Sequence, residues 1–440
     1  LILESWEFSQ KMIFLKNYSI KKEARVKFSR KEFLKSLGLS AAVLGLTSKS
    51  LFSTLKSDNS QGEQAGKLET AKKEARRMKI KAIEIYYFDI PLTQPFKIAI
   101  GTVYAASDVL VRIITDSGLI GLGEASPFLP ITGETQETNI TAARHIREML
   151  LGKDPLAIES HLHALRPFLH TNPSIVAAYD MAFHDLMGKV ANLPLFRLYG
   201  GERTELETDI TCDLDEPQVM AARAKDFIAR GFRTIKVKVG QSPELDEARL
   251  KAIREAIGDG PAVRIDANQG WTVPQAIEAL RRLEKYRIEF CEQPVAAGDI
   301  DGLKVVRQES PIPIMADESL FQPADAIKLI KAGACDYFNI KVMKAGGLSN
   351  SLRIAHIAEA ANIRCMLGCM IETRLALTGA AQVMAANENI VFADLDGFTS
   401  HTVDPIIGGM KLDGGKITLP ELPGLGCDVD PDFLKKLRRV

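Results

Sequence analysis

The chain has 440 residues, 46% hydrophobic and 25% charged, and its 56 basic side chains equal its 56 acidic ones, so the formal net charge is zero. That balance argues against a nucleic-acid or other polyanion partner, which an excess of Lys and Arg would mark. The length exceeds the roughly 100–200 residues of a typical domain and leaves room for a second domain and a leader.

The first 77 residues read apart from the rest. Ser29-Arg-Lys-Glu-Phe-Leu-Lys35, followed by an apolar run from Leu37 to Leu46, has the basic start and short hydrophobic core of an export signal. It resembles a twin-arginine signal with Lys31 in place of the second arginine. The expected location is periplasmic if this leader acts and cytoplasmic otherwise, the alternatives being an amphipathic helix or a start at Met12 or Met78. The run is too short to span a bilayer, so no stable membrane association is expected once the signal is removed. Residues 53–77 are polar, mixed in charge, and read as a linker.

Residues 78–205 are patterned as an α+β unit. Ile80–Ile85 and Val109–Ile114 read as strands, Asp116–Gly118 as a turn, and 138–151 and 174–189 as helices. A different rhythm fills 206–398. In Thr234–Gly240, Ile235, Val237 and Val239 alternate with Lys236 and Lys238, a strand with both ammonium groups on one face. From Lys238 onward a charged residue recurs every 24 to 28 positions at the end of an apolar run: Asp266, Glu292, Asp317 and Lys341. Helical patterns lie between, at 276–283, 326–330 and 352–357. Further strands at Glu207–Thr211, Ile363–Met370 and Val391–Asp396 bring the count to eight. Eight βα units close into a TIM barrel whose C-terminal strand ends form one mouth. Residues 399–440, with Gly414-Gly415 and Pro423-Gly-Leu-Gly426, read as short strands and turns returning to the N-terminal unit. Six cysteines without framework or zinc spacing read as buried free thiols.

Asp266, Glu292 and Asp317 then offer one carboxylate each from three adjacent strands, which suits a hard divalent cation such as Mg²⁺. Singly, each could be a turn former or helix cap, Asp266 ahead of Asn268 and Gly270 above all. Lys238 and Lys341, on the second and sixth strands, approach from opposite sides of the axis. Opposed bases flanking a cation are what a two-base inversion at carbon needs: one removes a proton, and the other returns it to the opposite face. The cation stabilises the intervening enediolate. A lysine is a base only when neutral, and Lys236 and the cation disfavour the charged form. On the eighth strand Asp394 and Asp396 place two anions opposite the cation strands, suited to a substrate ammonium or else to capping the next segment.

Lys236-Val-Lys238, Asp266-Ala-Asn-Gln-Gly-Trp271, Glu292-Gln-Pro294, Ala316-Asp-Glu-Ser319 and Asn339-Ile-Lys341 resemble the enolase superfamily, muconate-lactonizing subgroup, whose sites pair lysine or histidine bases with Mg²⁺. The resemblance runs over residues 78–430, and Asp394-Leu-Asp396 is similar to the pattern of dipeptide epimerases. It implies Mg²⁺ on Asp266, Glu292 and Asp317, with Lys238 and Lys341 as bases. It also implies Lys236 as an electrostatic helper, Thr211 as a substrate contact, and Asp394 and Asp396 on the substrate's amino terminus. The N-terminal unit would be a capping domain with specificity loops at 95–104 and 126–134. Relatives acting on Ala-Glu carry an arginine about where Gly101 stands. The expected activity is therefore that of an isomerase inverting the C-terminal residue of a dipeptide whose second residue is neutral or hydrophobic. The alternatives are a cycloisomerase or dehydratase of the same subgroup, which has no evident use for Asp394 and Asp396, and an exported metal- or ligand-binding protein, which has no need of opposed lysines. A homo-oligomer is compatible with the pattern.

Overall fold

The computed structural model describes residues 78–440, so the leader and linker expected over 1–77 lie outside the described residues. An antiparallel meander comes first: β1 (Ile80–Ile98), β2 (Gly101–Thr115) and β3 (Ile120–Ala125). These strands outrun the expected ones. Pro91 and Pro95 hide the length of β1, because they fall where its register with β2 shifts and a proline costs little. Helix Pro173–Ala191 lies directly on β3: a Cβ at Gly121 or Gly123 would come within 2.2 or 1.8 Å of the Ala182 or Ala178 carbonyl oxygen.

The barrel opens later than expected. β4 (Glu205–Glu207) belongs to a separate antiparallel sheet, pairing with Lys416–Thr418, and the first barrel strand is β5 (Ile210–Cys212). Then follow β6 (Thr234–Lys238), β7 (Ala262–Asp266), β8 (Ile288–Glu292), β9 (Ile314–Ala316), β10 (Tyr337–Lys341), β11 (Arg364–Gly368) and β12 (Ile390–Ala393), in chain order around an eight-stranded parallel sheet. The seam between β5 and β12 is closed by Asp209 N–H donating to the Ala393 carbonyl at 3.2 Å and Leu395 N–H to Thr208 Oγ1 at 2.9 Å. Helices separate the strands, and Pro217, Pro243 and Pro323 open three of them, where the missing N–H has no partner to lose.

Alternation sorts the barrel strands. Ile235, Val237, Val263 and Ile265 face the helices and are fully buried, each such side chain stabilising the fold by roughly 1.5–3 kcal/mol. The opposite parity fills the interior in layers. Phe290, Met315 and Met366 form a small core of their own low in the barrel, and Arg264 stacks on the Phe290 and Phe392 rings while pairing with Asp209 at 2.7 Å. The barrel is plugged below and polar above. The chain then returns to the meander, where Tyr87 N–H donates to the Arg438 carbonyl at 3.0 Å and Val440 N–H to that of Ile85 at 2.9 Å. Among the described residues all six cysteines are unpaired, five of them buried, and no helix is long and apolar enough to cross a membrane.

Candidate active site

Register places the charged series side by side. Lys238 is opposite Asp266, and Asp266 opposite Glu292, while Asp317 stands one residue past the end of β9. All three carboxylates are fully buried. One oxygen of each is tied by a donor: Asp266 Oδ1 accepts from Asn268 N–H at 2.9 Å, Glu292 Oε1 from the Asn339 amide at 2.8 Å, and Asp317 Oδ1 from Lys344.

The other oxygens meet the lysines. Lys238 Nζ is 2.7 Å from Asp266 Oδ2, Lys341 Nζ 2.9 Å from Asp317 Oδ2, and Lys236 Nζ 2.8 Å from Glu292 Oε2 and 3.1 Å from Asp266 Oδ2. At Glu292 Oε2 and Asp317 Oδ2 the ammonium is within ion-pair reach but not aligned as a hydrogen bond, so both oxygens are buried without one. Three buried carboxylates on neighbouring strands with oxygens left over fit a hard divalent cation.

The electrostatics are uneven. Burial raises the Asp266 carboxyl, but Lys238 and Lys236 outweigh it and bring it down to about 2. Asp317 is held far below the usual range by Lys341 and Lys344, whereas burial and the Asp266 charge push Glu292 well up. Burial disfavours the Lys341 ammonium and Lys236 repels it, yet Asp317, Glu292 and Glu318 together outweigh both and hold it charged. Among protein groups alone, then, Lys341 is a proton donor at rest.

Across the mouth, Thr211 N–H donates to Asp396 Oδ2 at 2.7 Å, and Asp394 Oδ2 takes Lys236 at 2.7 Å. Both aspartates lie beyond β12, in irregular chain rather than on the expected strand. Among the described residues, the donor group whose atoms crowd within 4.8 Å of one another is Cys369, Asp394 and Asp396, not the carboxylate triad. It is a poor metal centre. The Cys369 thiol is pushed above its usual range by burial and the Asp394 charge, and the two carboxylates are already engaged by Lys236 and the Thr211 N–H.

A cavity of about 210 Å³ opens over the strand ends, with Thr211, Lys236, Lys238, Lys341, Asp394 and Asp396 in its wall. The carboxylate triad is not part of that wall and meets it through the lysines paired with it. The N-terminal unit contributes Phe96 and Ile98 from β1, and after β3 Phe128 and Ile131, the latter in the short helix Leu129–Thr132.

This architecture has counterparts among known proteins. Residues 219–433 match the enolase C-terminal domain-like family, and residues 82–200 the mandelate racemase / muconate lactonizing enzyme N-terminal domain. The L-Ala-D/L-Glu epimerase of Bacillus subtilis is 42% identical over 353 residues, covering 79% of this chain and 96% of that one. The chain belongs to the enolase superfamily. A hydrophobic dipeptide epimerase of Enterococcus faecalis is 43% identical over 351 residues, 79% of this chain and 99% of its own. The crystal structure of the Cytophaga hutchinsonii dipeptide epimerase complexed with Mg and D-Ala-L-Val matches at TM-score 0.81 and 41% identity, covering 82% and 99% of the two chains.

In this enolase-superfamily site some contributors escape a reading by spacing. Lys344 is fully buried, with its ammonium on Asp317 and 3.2 Å from the Asn339 carbonyl oxygen. Asn268 donates to Glu318 at 3.0 Å, and burial with the Asp317 charge lifts Glu318 to about 7. The inward parity of β10 could have found Asn339, two residues before Lys341. Lys344 sits in the short helix Val342–Ala345, where strand parity has ended.

Proposed function

We propose that this protein is a Mg²⁺-dependent dipeptide epimerase that inverts the α-carbon of the C-terminal residue by a two-base proton transfer. The observation that carries the reading is the placement of Lys238 and Lys341. They end β6 and β10, four strands apart in a ring of eight, and each is buried at 5% exposure while bordering the same cavity. A carbon acid held between them has one amine on each face. One lysine removes the α-proton and the other delivers a proton to the opposite face.

Asp266, Glu292 and Asp317 would hold the cation. When bound, Mg²⁺ offsets the negative charge gathered on the substrate carboxylate and competes with the lysines for these three carboxylates. Lys236, beside both the triad and Asp394, adds a fixed positive charge. Asp394 and Asp396 would receive the substrate's ammonium, with Thr211 orienting Asp396 through its N–H and Asp394 through its hydroxyl at 3.4 Å. The relative complexed with Mg and D-Ala-L-Val supports the metal and the substrate class.

For the second side chain of the dipeptide, Phe96, Ile98, Phe128 and Ile131 supply an apolar wall, which favours a neutral or hydrophobic residue. Arg230, another cation at the rim, is held over the Phe227 and Phe232 rings. The test is a dipeptide library incubated with the protein in D₂O. Deuterium entering one α-carbon with inversion supports the proposal. Ring closure or loss of water would favour the cycloisomerase or dehydratase reading, and binding without exchange a binding protein.

We also propose that residues 1–77 direct export. A reporter fused to them should reach the periplasm, and retention in the cytoplasm would sink the idea.

A further inference from the structure

Each carboxylate of the triad uses its two oxygens differently. Asp266 Oδ1, Glu292 Oε1 and Asp317 Oδ1 accept from protein donors, and Asp266 Oδ2, Glu292 Oε2 and Asp317 Oδ2 face the lysines at the mouth. The three donors are unrelated: the backbone N–H of Asn268, the amide of Asn339 on β10, and the Lys344 ammonium from helix Val342–Ala345. Space is kept for one of them, since a Cβ at Gly368 would come within 2.4 Å of Asn339 Oδ1. Lys344 is itself held, donating also to the Asp317 and Asn339 carbonyls.

We infer that Asn268, Asn339 and Lys344 are positioning residues that leave each carboxylate only the single oxygen facing the mouth for a cation and so make the site select Mg²⁺ over Ca²⁺. The reason is ligand count. Mg²⁺ accepts near-octahedral single-oxygen contacts at about 2.0–2.1 Å and retains water, whereas Ca²⁺ gathers about six to eight oxygens at roughly 2.3–2.6 Å, often both oxygens of a carboxylate. Tying back one oxygen in each case withholds the extra contacts that favour Ca²⁺. The inference rests on the Mg²⁺ reading proposed above.

The test is calorimetric titration of Mg²⁺ and of Ca²⁺ into the substrate-free protein, for wild type, Lys344→Met and Asn339→Ala, with circular dichroism to verify folding. Wild type should bind Mg²⁺ more tightly. Releasing Asp317 Oδ1 or Glu292 Oε1 should move the Mg²⁺-to-Ca²⁺ affinity ratio toward Ca²⁺ by about 10- to 100-fold, the range carried by hydrogen-bond partners of metal ligands. A merely structural role would weaken both ions in parallel and leave the ratio unchanged, which overturns the inference. If Lys344→Met does not fold, the wild-type ratio and Asn339→Ala decide it. Equal affinity of wild type for the two ions defeats this inference alone. Absence of any divalent binding defeats the Mg²⁺ reading with it.

Discussion

Lys238 and Lys341 reach one cavity from opposite strands, and each is paired with a different member of the carboxylate triad. If they serve opposite faces, Lys238→Ala and Lys341→Ala should each lose epimerization by about 10²- to 10⁴-fold, the usual worth of a general base. Each should still exchange the α-proton of one isomer in D₂O, and the two variants should prefer opposite isomers. The same isomer in both would make Lys236 or a water the second base. These residues were legible because the interior parity of a barrel strand and the interval between strands leave a trace in the sequence. Lys344 left none. Its partner, Oδ1 of Asp317, comes from just past a different strand, and its own position lies in a short helix where strand parity no longer applies.

Elements were legible in order and type and less so at their ends. Val391–Asp396 reads as a strand by alternation, but pairing stops at Ala393, where Leu395 N–H turns across the seam to Thr208 Oγ1. Glu207 looks like the start of a barrel strand because its neighbours alternate, yet it pairs with Lys416 instead. Two predictions belong at this scale. Gly101 opens β2 opposite Ile98, a residue of the cavity wall, and a Cβ there would meet only Pro130 Cγ at 3.6 Å, an ordinary contact. Gly101→Arg should fold normally. It should raise kcat/KM for an acidic second residue relative to a hydrophobic one by about 10- to 100-fold, the worth of one charge-assisted hydrogen bond. An unchanged ratio would place that side chain elsewhere. Glu124, at the end of β3, crosses to the barrel and accepts from Thr373 N–H at 2.7 Å, Thr373 Oγ1 at 2.6 Å and Ala376 N–H at 3.1 Å, capping helix Arg374–Ala385. Glu124→Ala should cost about 2–3 kcal/mol in urea unfolding, and no shift of the midpoint would mean that this contact does not hold the helix start.

At the scale of the whole molecule, the junction of meander and barrel couples stability to pH. Glu372 is pushed up to about 8 by burial, with the charge of Glu124 adding to it. The folded state therefore binds a proton that the unfolded chain releases above its ordinary carboxylate range, so stability should fall as pH rises from about 4.5 to about 8. This one group contributes at most about 1.4 kcal/mol per pH unit. Glu372→Gln should flatten the dependence of the urea midpoint on pH in that window, and an unaltered slope would assign the coupling to other groups. The seam has a consequence for the order of assembly. Lys238 and Asp266 are 28 residues apart, and the triad comes from consecutive strands, whereas Thr211 and Asp396 are 185 apart and meet only when the first and eighth strands close. Long-range closure is slow. During refolding, a half-built barrel should acquire its affinity for cations first and become able to grip a peptide's amino end only in the final phase.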